Sequence, residues 1–250
     1  MLFIRGSITW RRGGYETRPY IGARRRARRR ASLRPALTSI DVDVRCWRES
    51  LTDAIPIGTI HVMDNRNVIL YQALILFAER GYDAVGVQDI AVASGITKPT
   101  LYHYFGSKRG LLDALLREEH AHLESLLDEA ARYRGDLPLT LTRTVQVLFQ
   151  FARERPLFYR LYLSMWFALP YNEAHTAAAP FHASLFHQIE QIFIDAARDH
   201  GNMRGRQRAN AATLLGTINT YIAMAINDQA ALDEATVHQV VKQFSYGIYS

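Results

Sequence analysis

Apolar side chains recur along most of this chain with the spacing of helices that bury one face. Leu70, Leu74, Phe77 and Ala78 fall at i, i+4, i+7 and i+8, which gathers them on one side of a helix, and Gly81 supplies a stop after them. A short second helix is predicted over about 87–93, with Val87, Ile90 and Ala91 turned inward, and Gly95 makes the turn after it. Thr97 suits the N-cap of a third short helix reaching about residue 105, in which Leu101 and Phe105 lie one turn apart. A longer helix is expected over about 108–133, and further helical stretches over about 138–153, 155–168, 180–199, 206–228 and 232–247. Breaks fall at 135–138, 155–156, Pro170, 201–205 and 228–233. No stretch keeps the strict alternation of a half-buried strand. The pattern predicts an all-α chain, with a helix-turn-helix unit followed by a larger helical domain.

Composition changes this picture mainly at the N-terminus. With 250 residues, 48% hydrophobic and 22% charged, the chain has the make-up of one large or two modest globular domains and enough length for a sizeable core. The net charge of +6 is unevenly placed. Residues 1–62 hold 13 arginines and no lysine against five acidic residues, a net of +8, and the remainder carries 17 basic against 19 acidic residues, a net of −2. The run Arg24-Arg25-Arg26-Ala27-Arg28-Arg29-Arg30, flanked by Gly13-Gly14, Pro19, Gly22, Pro35 and Pro56, repels itself and reads as a disordered extension. Three readings fit it: a basic arm for nucleic acid, an organellar transit sequence, or read-through of upstream coding DNA with translation starting at Met63. The helical pattern beginning just after Met63 favours the last. The expected division is therefore 1–62 extension, 63–110 helix-turn-helix domain and 111–250 helical domain.

One cysteine, Cys46, cannot form an intramolecular disulfide, and no partner motif surrounds it. No apolar run reaches the ~18 residues of a membrane span, and 1–14 lacks the continuous apolar stretch of a secretory signal, so a cytoplasmic location without membrane attachment is expected.

The stretch Val87-Gln88-Asp89-Ile90-Ala91-Val92-Ala93-Ser94-Gly95-Ile96-Thr97-Lys98-Pro99-Thr100-Leu101-Tyr102-His103-Tyr104-Phe105 carries the chemistry. Two short helices joined by a glycine-containing turn make a helix-turn-helix. Ile90, Ala91, Ile96, Leu101 and Phe105 are the positions that pack the two helices together, and the small Ala91 and Ala93 allow close approach. The opposite face of the third helix presents Lys98, Pro99, Thr100, Tyr102 and His103. Such a helix fits a major groove about 12 Å wide, and its N-terminal amides favour a phosphate. Tyr104 is expected in the core beside Phe105.

Residues 67–116 resemble the DNA-binding domain of the TetR family of transcriptional regulators. The resemblance rests on Phe77-Ala78-Glu79-Arg80-Gly81-Tyr82, Asp89-Ile90-Ala91, Gly95-Ile96-Thr97-Lys98, Thr100-Leu101-Tyr102-His103-Tyr104-Phe105 and Ser107-Lys108. It covers about 50 of the 250 residues and fixes many spacings at once. It implies that Thr97, Tyr102, His103 and Lys108 hold phosphates and that Gln88, Lys98, Pro99 and Thr100 face base edges. Gly86 departs from the pattern, since the family more often has Thr or Ser there as cap and phosphate contact. Glutamine can pair with adenine and lysine with guanine, so Gln88 and Lys98 are the candidate readers.

The resemblance further implies that 111–250 binds an effector and dimerises. The last two helical stretches carry apolar stripes, Leu214, Leu215, Ile218, Tyr221, Ile222, Met224 and Ala225, then Val237, Val240, Val241, Phe244 and Ile248, which would pair with their symmetry mates or fill the core. The middle of the chain is rich in aromatics. Tyr162 and Trp166 lie one turn apart, as do His182 and Phe186, so the two pairs are candidates to line a pocket for an apolar or aromatic small molecule. An aromatic stripe equally builds plain core.

No GxSxG, Walker loop, GxGxxG or CxxC is present, so no catalytic residue is assigned. His120 and His122 beside Glu118 and Glu119 lack the HExxH spacing and read as a solvated face rather than a metal site; no cofactor is expected. The sequence thus points to a homodimeric, ligand-responsive regulator, most simply a repressor, on a palindromic operator. The competing reading is a nonspecific nucleic-acid binder acting through the arginine-rich segment.

Overall fold

The computed structural model describes residues 65–246 and, of Asn202, the backbone alone. The expected extension 1–62, Cys46, Met63 and Ile248 lie outside the described residues.

Within them the regular structure is helical throughout. Helix α1 (Asn65–Arg80) buries Ile69, Leu70, Ala73, Leu74, Leu76 and Phe77. Then come α2 (Val87–Ala93) and α3 (Lys98–Phe105), whose predicted bounds and Thr97 cap both hold. Gly95 turns between them at φ +65°, a left-handed value that side chains disfavour. Helix α4 (Lys108–Ala130) starts on a Ser107 cap that accepts the Gly110 N–H at 2.9 Å. At Gly110 a Cβ would stand 2.1 Å from the Phe105 carbonyl oxygen, so only glycine lets α4 start this close to the end of α3.

Helices α5 (Leu137–Glu154) and α6 (Pro156–Trp166) each carry proline in the first turn, where no helical N–H is needed. The long α7 (Glu173–Asp199) begins seven residues before the expected start at 180. Pro180 resembles a helix start, but the cap is Asn172, whose side-chain oxygen accepts from Ala174 N–H at 2.7 Å and His175 N–H at 3.4 Å. The helix continues through Pro180 although the ring gives the Thr176 carbonyl no N–H. A 3-10 turn (Gly201–Met203), α8 (Gln207–Ile226) and α9 (Glu234–Tyr246) complete the order.

One continuous apolar core runs from Ile69 to Val241. Helix α1 packs on α6, α4 lies against α5 and α7, α7 pairs extensively with α8, and α9 covers α5. The expected boundary near residue 110 therefore falls inside α4, which packs both with the helix-turn-helix unit and with the body. Val237, Val240 and Val241 are buried within the chain, so that part of the stripe of the last helix is intrachain core. Among the described residues no helix is long and apolar enough to cross a membrane.

Candidate nucleic-acid interface

Helix α3 is positioned by its one fully buried side chain, Leu101, and by caps at both ends. The Thr97 hydroxyl oxygen accepts the Thr100 N–H at 3.4 Å and lies 2.9 Å from the Thr100 hydroxyl. At the other end the Gly106 N–H donates to the Tyr102 carbonyl at 2.8 Å. Before α2, Asp89 accepts the Gly86 N–H at 2.8 Å, which closes the first turn without the side chain that Gly86 lacks.

The structure exposes Gln88, Thr97, Lys98, Pro99, Tyr102 and His103, with Thr100 half-buried, along one side of α2 and α3. Two expectations change here. Tyr104 is 39% exposed and stands edge-on to His103, with ring centroids 5.6 Å apart. On a helix of 3.6 residues per turn Tyr104 lies about 60° from Leu101 and Phe105 about 40°, so Phe105 takes the place against the core. Ala93 is exposed, and Ala91 alone makes the close approach.

Lys108 has a role that its sequence neighbourhood does not announce. Its ammonium donates to the carbonyls of Tyr82 at 3.0 Å and Val85 at 3.1 Å and sits 4.0 Å from the centroid of the Tyr82 ring. Two of its three donors thus fasten the loop that leads into α2. The same loop is tied to the body: the Tyr82 hydroxyl donates to Glu173 at 2.6 Å, Asn172 donates to Asp83, and Arg109 donates to the Glu173 carbonyl at 3.2 Å and to Asp113 at 2.8 Å. Burial, and then the Glu173 carboxylate, push the Tyr82 hydroxyl pKa well above its usual value, so it remains a donor at any physiological pH. The start of α7 and the entrance to α2 are therefore mechanically joined.

In the body, Tyr162, Trp166 and His182 come together. The His182 ring lies edge-on to Tyr162 and Trp166, with centroids 4.2 and 4.5 Å apart, and its Nε2–H donates to the Tyr162 carbonyl at 3.2 Å. Phe186 does not join them; it is half-buried under the Arg208 guanidinium, 5.0 Å from its centroid. These rings are close-packed, whereas an open cleft of about 790 Å3 between α4, α5 and α9 is lined by none of the four. The Tyr162 hydroxyl is buried without a hydrogen-bond partner. Next to this group, Phe167, Leu169 and Tyr171 are 81%, 78% and 98% exposed, an apolar rim between α6 and α7.

The surface expected around His120 is also interior. His120 is buried, with Nε2 3.0 Å from the Phe181 carbonyl and Nδ1 3.3 Å from Glu124. Glu119 pairs with Arg155 at 3.4 Å, and burial raises its pKa against the pull of that cation. Among the described residues no cluster of three metal-ligating side chains occurs.

Burial, outweighing the Tyr162 carbonyl and aided by His175 and His120, lowers the His182 pKa from 6.5 to about 4. A depressed pKa favours the folded state above the unfolded value and loses that advantage as pH falls toward the folded one. Lowering the pH from 7 to 5 is expected to cost about 2 kcal/mol through this group, read as a fall in the urea midpoint. In His182→Phe most of that pH dependence should vanish; an undiminished fall would refute the assignment.

Comparison with known proteins agrees with this geometry. The sequence profile described as bacterial regulatory proteins, tetR family, matches residues 69–115. The transcriptional activator FasR of Mycolicibacterium smegmatis is 28% identical over 184 residues, 74% of this chain and 82% of that protein. The transcriptional repressor KstR2 of Rhodococcus jostii is 50% identical over 52 residues, but these are 21% of this chain and 26% of KstR2. Among solved structures, the fatty acid degradation regulator FadR of Bacillus halodurans superposes with a TM-score of 0.63 at 18% identity, over 74% of this chain and 96% of that one. FadR of Bacillus subtilis, in complex with stearoyl-CoA, gives 0.62 at 19% identity, over 73% and 98%. At these identities the two structures speak to the fold.

Proposed function

Because the chain belongs to the TetR family of bacterial regulatory proteins, we propose that it is a homodimeric, ligand-responsive repressor that reads a palindromic operator through α3. The observation that carries this reading is the doubly capped α3, with Leu101 buried and Lys98, Pro99, Tyr102 and His103 presented to solvent. Thr97, Tyr102 and His103 are the proposed phosphate contacts, with the remaining Lys108 donor beside them; Gln88, Lys98, Pro99 and Thr100 are the proposed base readers.

The dimer reading rests on α8. From Ala209 to Ile226 this helix holds no charged residue, yet Ala209, Ala212, Thr213, Gly216, Thr220 and Met224 face solvent. The Thr213 and Thr220 hydroxyls donate to the carbonyls of Ala209 at 3.0 Å and Gly216 at 2.8 Å, so burying this face leaves no donor unmet. A two-fold pairing along α8 sets two α3 helices toward half-sites about 34 Å apart.

For the effector, the reading is an apolar or aromatic molecule entering past Phe167, Leu169 and Tyr171 toward Trp166, with the Tyr162 hydroxyl as its hydrogen-bond partner. The stearoyl-CoA of the Bacillus subtilis FadR complex is a ligand of this character in the same fold. A ligand that moves the start of α7 pulls on Tyr82 through Glu173 and shifts the population away from the DNA-competent spacing. Such coupling is ordinarily about 1–3 kcal/mol, or about 5–150-fold in affinity.

Selection of bound duplexes from a random library with the full chain tests the reading. Enrichment of one palindrome supports it; enrichment without sequence preference supports a nonspecific arginine-driven binder instead. Reporter transcription from the recovered palindrome then gives the sign of regulation. On that duplex, Tyr102→Ala is expected to weaken binding evenly across related sequences. Lys98→Ala is expected to flatten the preference at one position by about 1–3 kcal/mol. Unchanged affinity in both variants refutes the assignment of α3.

A further inference from the structure

Helix α8 is uncharged along most of its length and charged at both ends, with each sign at the less favourable end. Arg204 lies just before it, Arg206 is its N-cap and Arg208 its second residue, and its first turn holds no acidic side chain. Its last turn holds no basic one, and from Ala209 to Val237 the charged residues are Asp228, Asp233 and Glu234. A helix dipole is positive at its start and negative at its end. Cations before α8 and anions after it therefore both work against it.

Among the described residues little answers these charges. Arg208 approaches Glu190 at 3.9 Å and lies over the Phe186 ring. Arg204 and Arg206 are exposed and form no ion pair, and the Arg206 side chain makes no capping bond. Asp228 is exposed and unpaired too, at φ +57°, a left-handed value more usual for glycine or asparagine just past a helix. Asp233 is occupied by the α9 cap, where it accepts from the Thr236 N–H and hydroxyl at 2.9 Å.

The spacing along α8 shows what would answer them. Gly216 lies midway between Arg206 and Ile226, the last residue of the helix, so both ends stand about 15 Å from it. A two-fold axis through Gly216 and perpendicular to α8 brings the start of one helix to the end of its mate. With a separation of about 8 Å, which small side chains allow, and a crossing of about 20°, the axes are still only about 10 Å apart at those ends. An arginine side chain spans that gap.

We propose that two copies of this chain pair antiparallel along α8, crossing at Gly216, with Arg204 and Arg206 of each meeting the partner's Asp228. Antiparallel neighbours set opposite dipole ends side by side, so charges that oppose their own helix favour the other one. A parallel pair would instead set arginine against arginine and aspartate against aspartate. The inference rests on the dimer along α8 proposed above and adds its direction and register.

The test is a charge exchange in the full chain, with the dimer dissociation constant followed by sedimentation at about 50 and about 500 mM salt. Arg204→Glu with Arg206→Glu, and Asp228→Lys by itself, should each weaken the dimer about tenfold or more at the lower salt, because every contact occurs twice in a two-fold pair. All three substitutions together should recover the native value to within about threefold. Higher salt should shrink the differences, since exposed charges are screened. Partial variants that dimerise like the native chain refute the register, and so does a triple variant no tighter than the partial ones. An arginine variant that dimerises more tightly than the native chain shows parallel helices and refutes it as well. Gly216→Glu separates this inference from the reading beneath it. A monomer there, without recovery in the charge exchange, keeps the α8 interface and rejects the antiparallel register. A native chain that sediments as a monomer, or a Gly216→Glu chain that stays dimeric, rejects both.

Discussion

Lys108→Ala is expected to lower the stability of the folded chain by about 2–3 kcal/mol and to weaken DNA binding at least tenfold. The ammonium makes two charge-assisted bonds to carbonyls, each ordinarily worth about 1.5–3 kcal/mol, and a cation–π contact worth about 0.5–2 kcal/mol; part exposure and the sharing of one ammonium among the three contacts put the total below their sum. Alanine leaves the Tyr82 and Val85 carbonyls to find water at a half-buried site and frees the loop that sets the entry of α2. Because Tyr82 also holds Glu173, the loosened loop disturbs the joint between the DNA-binding unit and the body. Urea denaturation and fluorescence anisotropy on the same preparations separate the two effects. If Lys108 were only a phosphate contact, the urea midpoint would stay in place while the salt slope fell by about one. A lower midpoint together with weaker binding identifies the loop-fastening role. Lys108→Arg should recover part of the charge but not the fit over the Tyr82 ring, since the planar guanidinium is wider than an ammonium.

The positions that sequence predicts well here are those whose cause lies within a few residues. Helices α2 and α3 are bounded by Gly86, Gly95, Thr97 and Gly106, each acting on a neighbouring turn, and their limits follow from those residues alone. The start of α7 misleads for the same reason: Pro180 carries a strong local signal for a first turn, while the cap that decides is Asn172, eight residues earlier. Where the partner is distant, local reading fails. Lys108 looks like a surface cation because its carbonyls belong to residues 26 and 23 positions back. His120 looks solvated because the carbonyl it meets belongs to Phe181, 61 positions on. The proposed recognition face is legible because a DNA contact must stay exposed, and exposure follows from the apolar spacing around Leu101. The proposed effector region is only half legible: spacing brings Tyr162, Trp166 and His182 together, but whether rings enclose a space or fill it depends on packing among α4, α6 and α7. The last helix shows the same ambiguity, its valines serving as intrachain core against α5.

The proposed dimer rests on the uncharged exposed face of α8, and Gly216→Glu is the sharpest probe of it. A side chain at Gly216 meets nothing within 4 Å in the folded chain, and its φ is not left-handed. Replacing a mid-helix glycine even favours the helix, by an amount of up to about 1 kcal/mol for the best helix formers. The monomer fold is therefore expected to be as stable as before. In a two-fold pair along α8, however, the substitution sets two carboxylates against each other across a neutral surface of alanine, threonine and glycine, where burial of an unpaired charge is costly. Light scattering should show a monomer where the native chain is expected to scatter as a dimer. Affinity for the palindrome should fall about 100-fold or more, because linking two half-site contacts ordinarily raises avidity by about 100–10,000-fold. Affinity for a single half-site should barely change, which separates loss of pairing from loss of the reading helix. Gly216→Ala adds one methyl and no charge, so it should remain dimeric. A Gly216→Glu chain that still scatters as a dimer would move the interface away from α8, and with it the geometry that sets the two α3 helices one DNA turn apart.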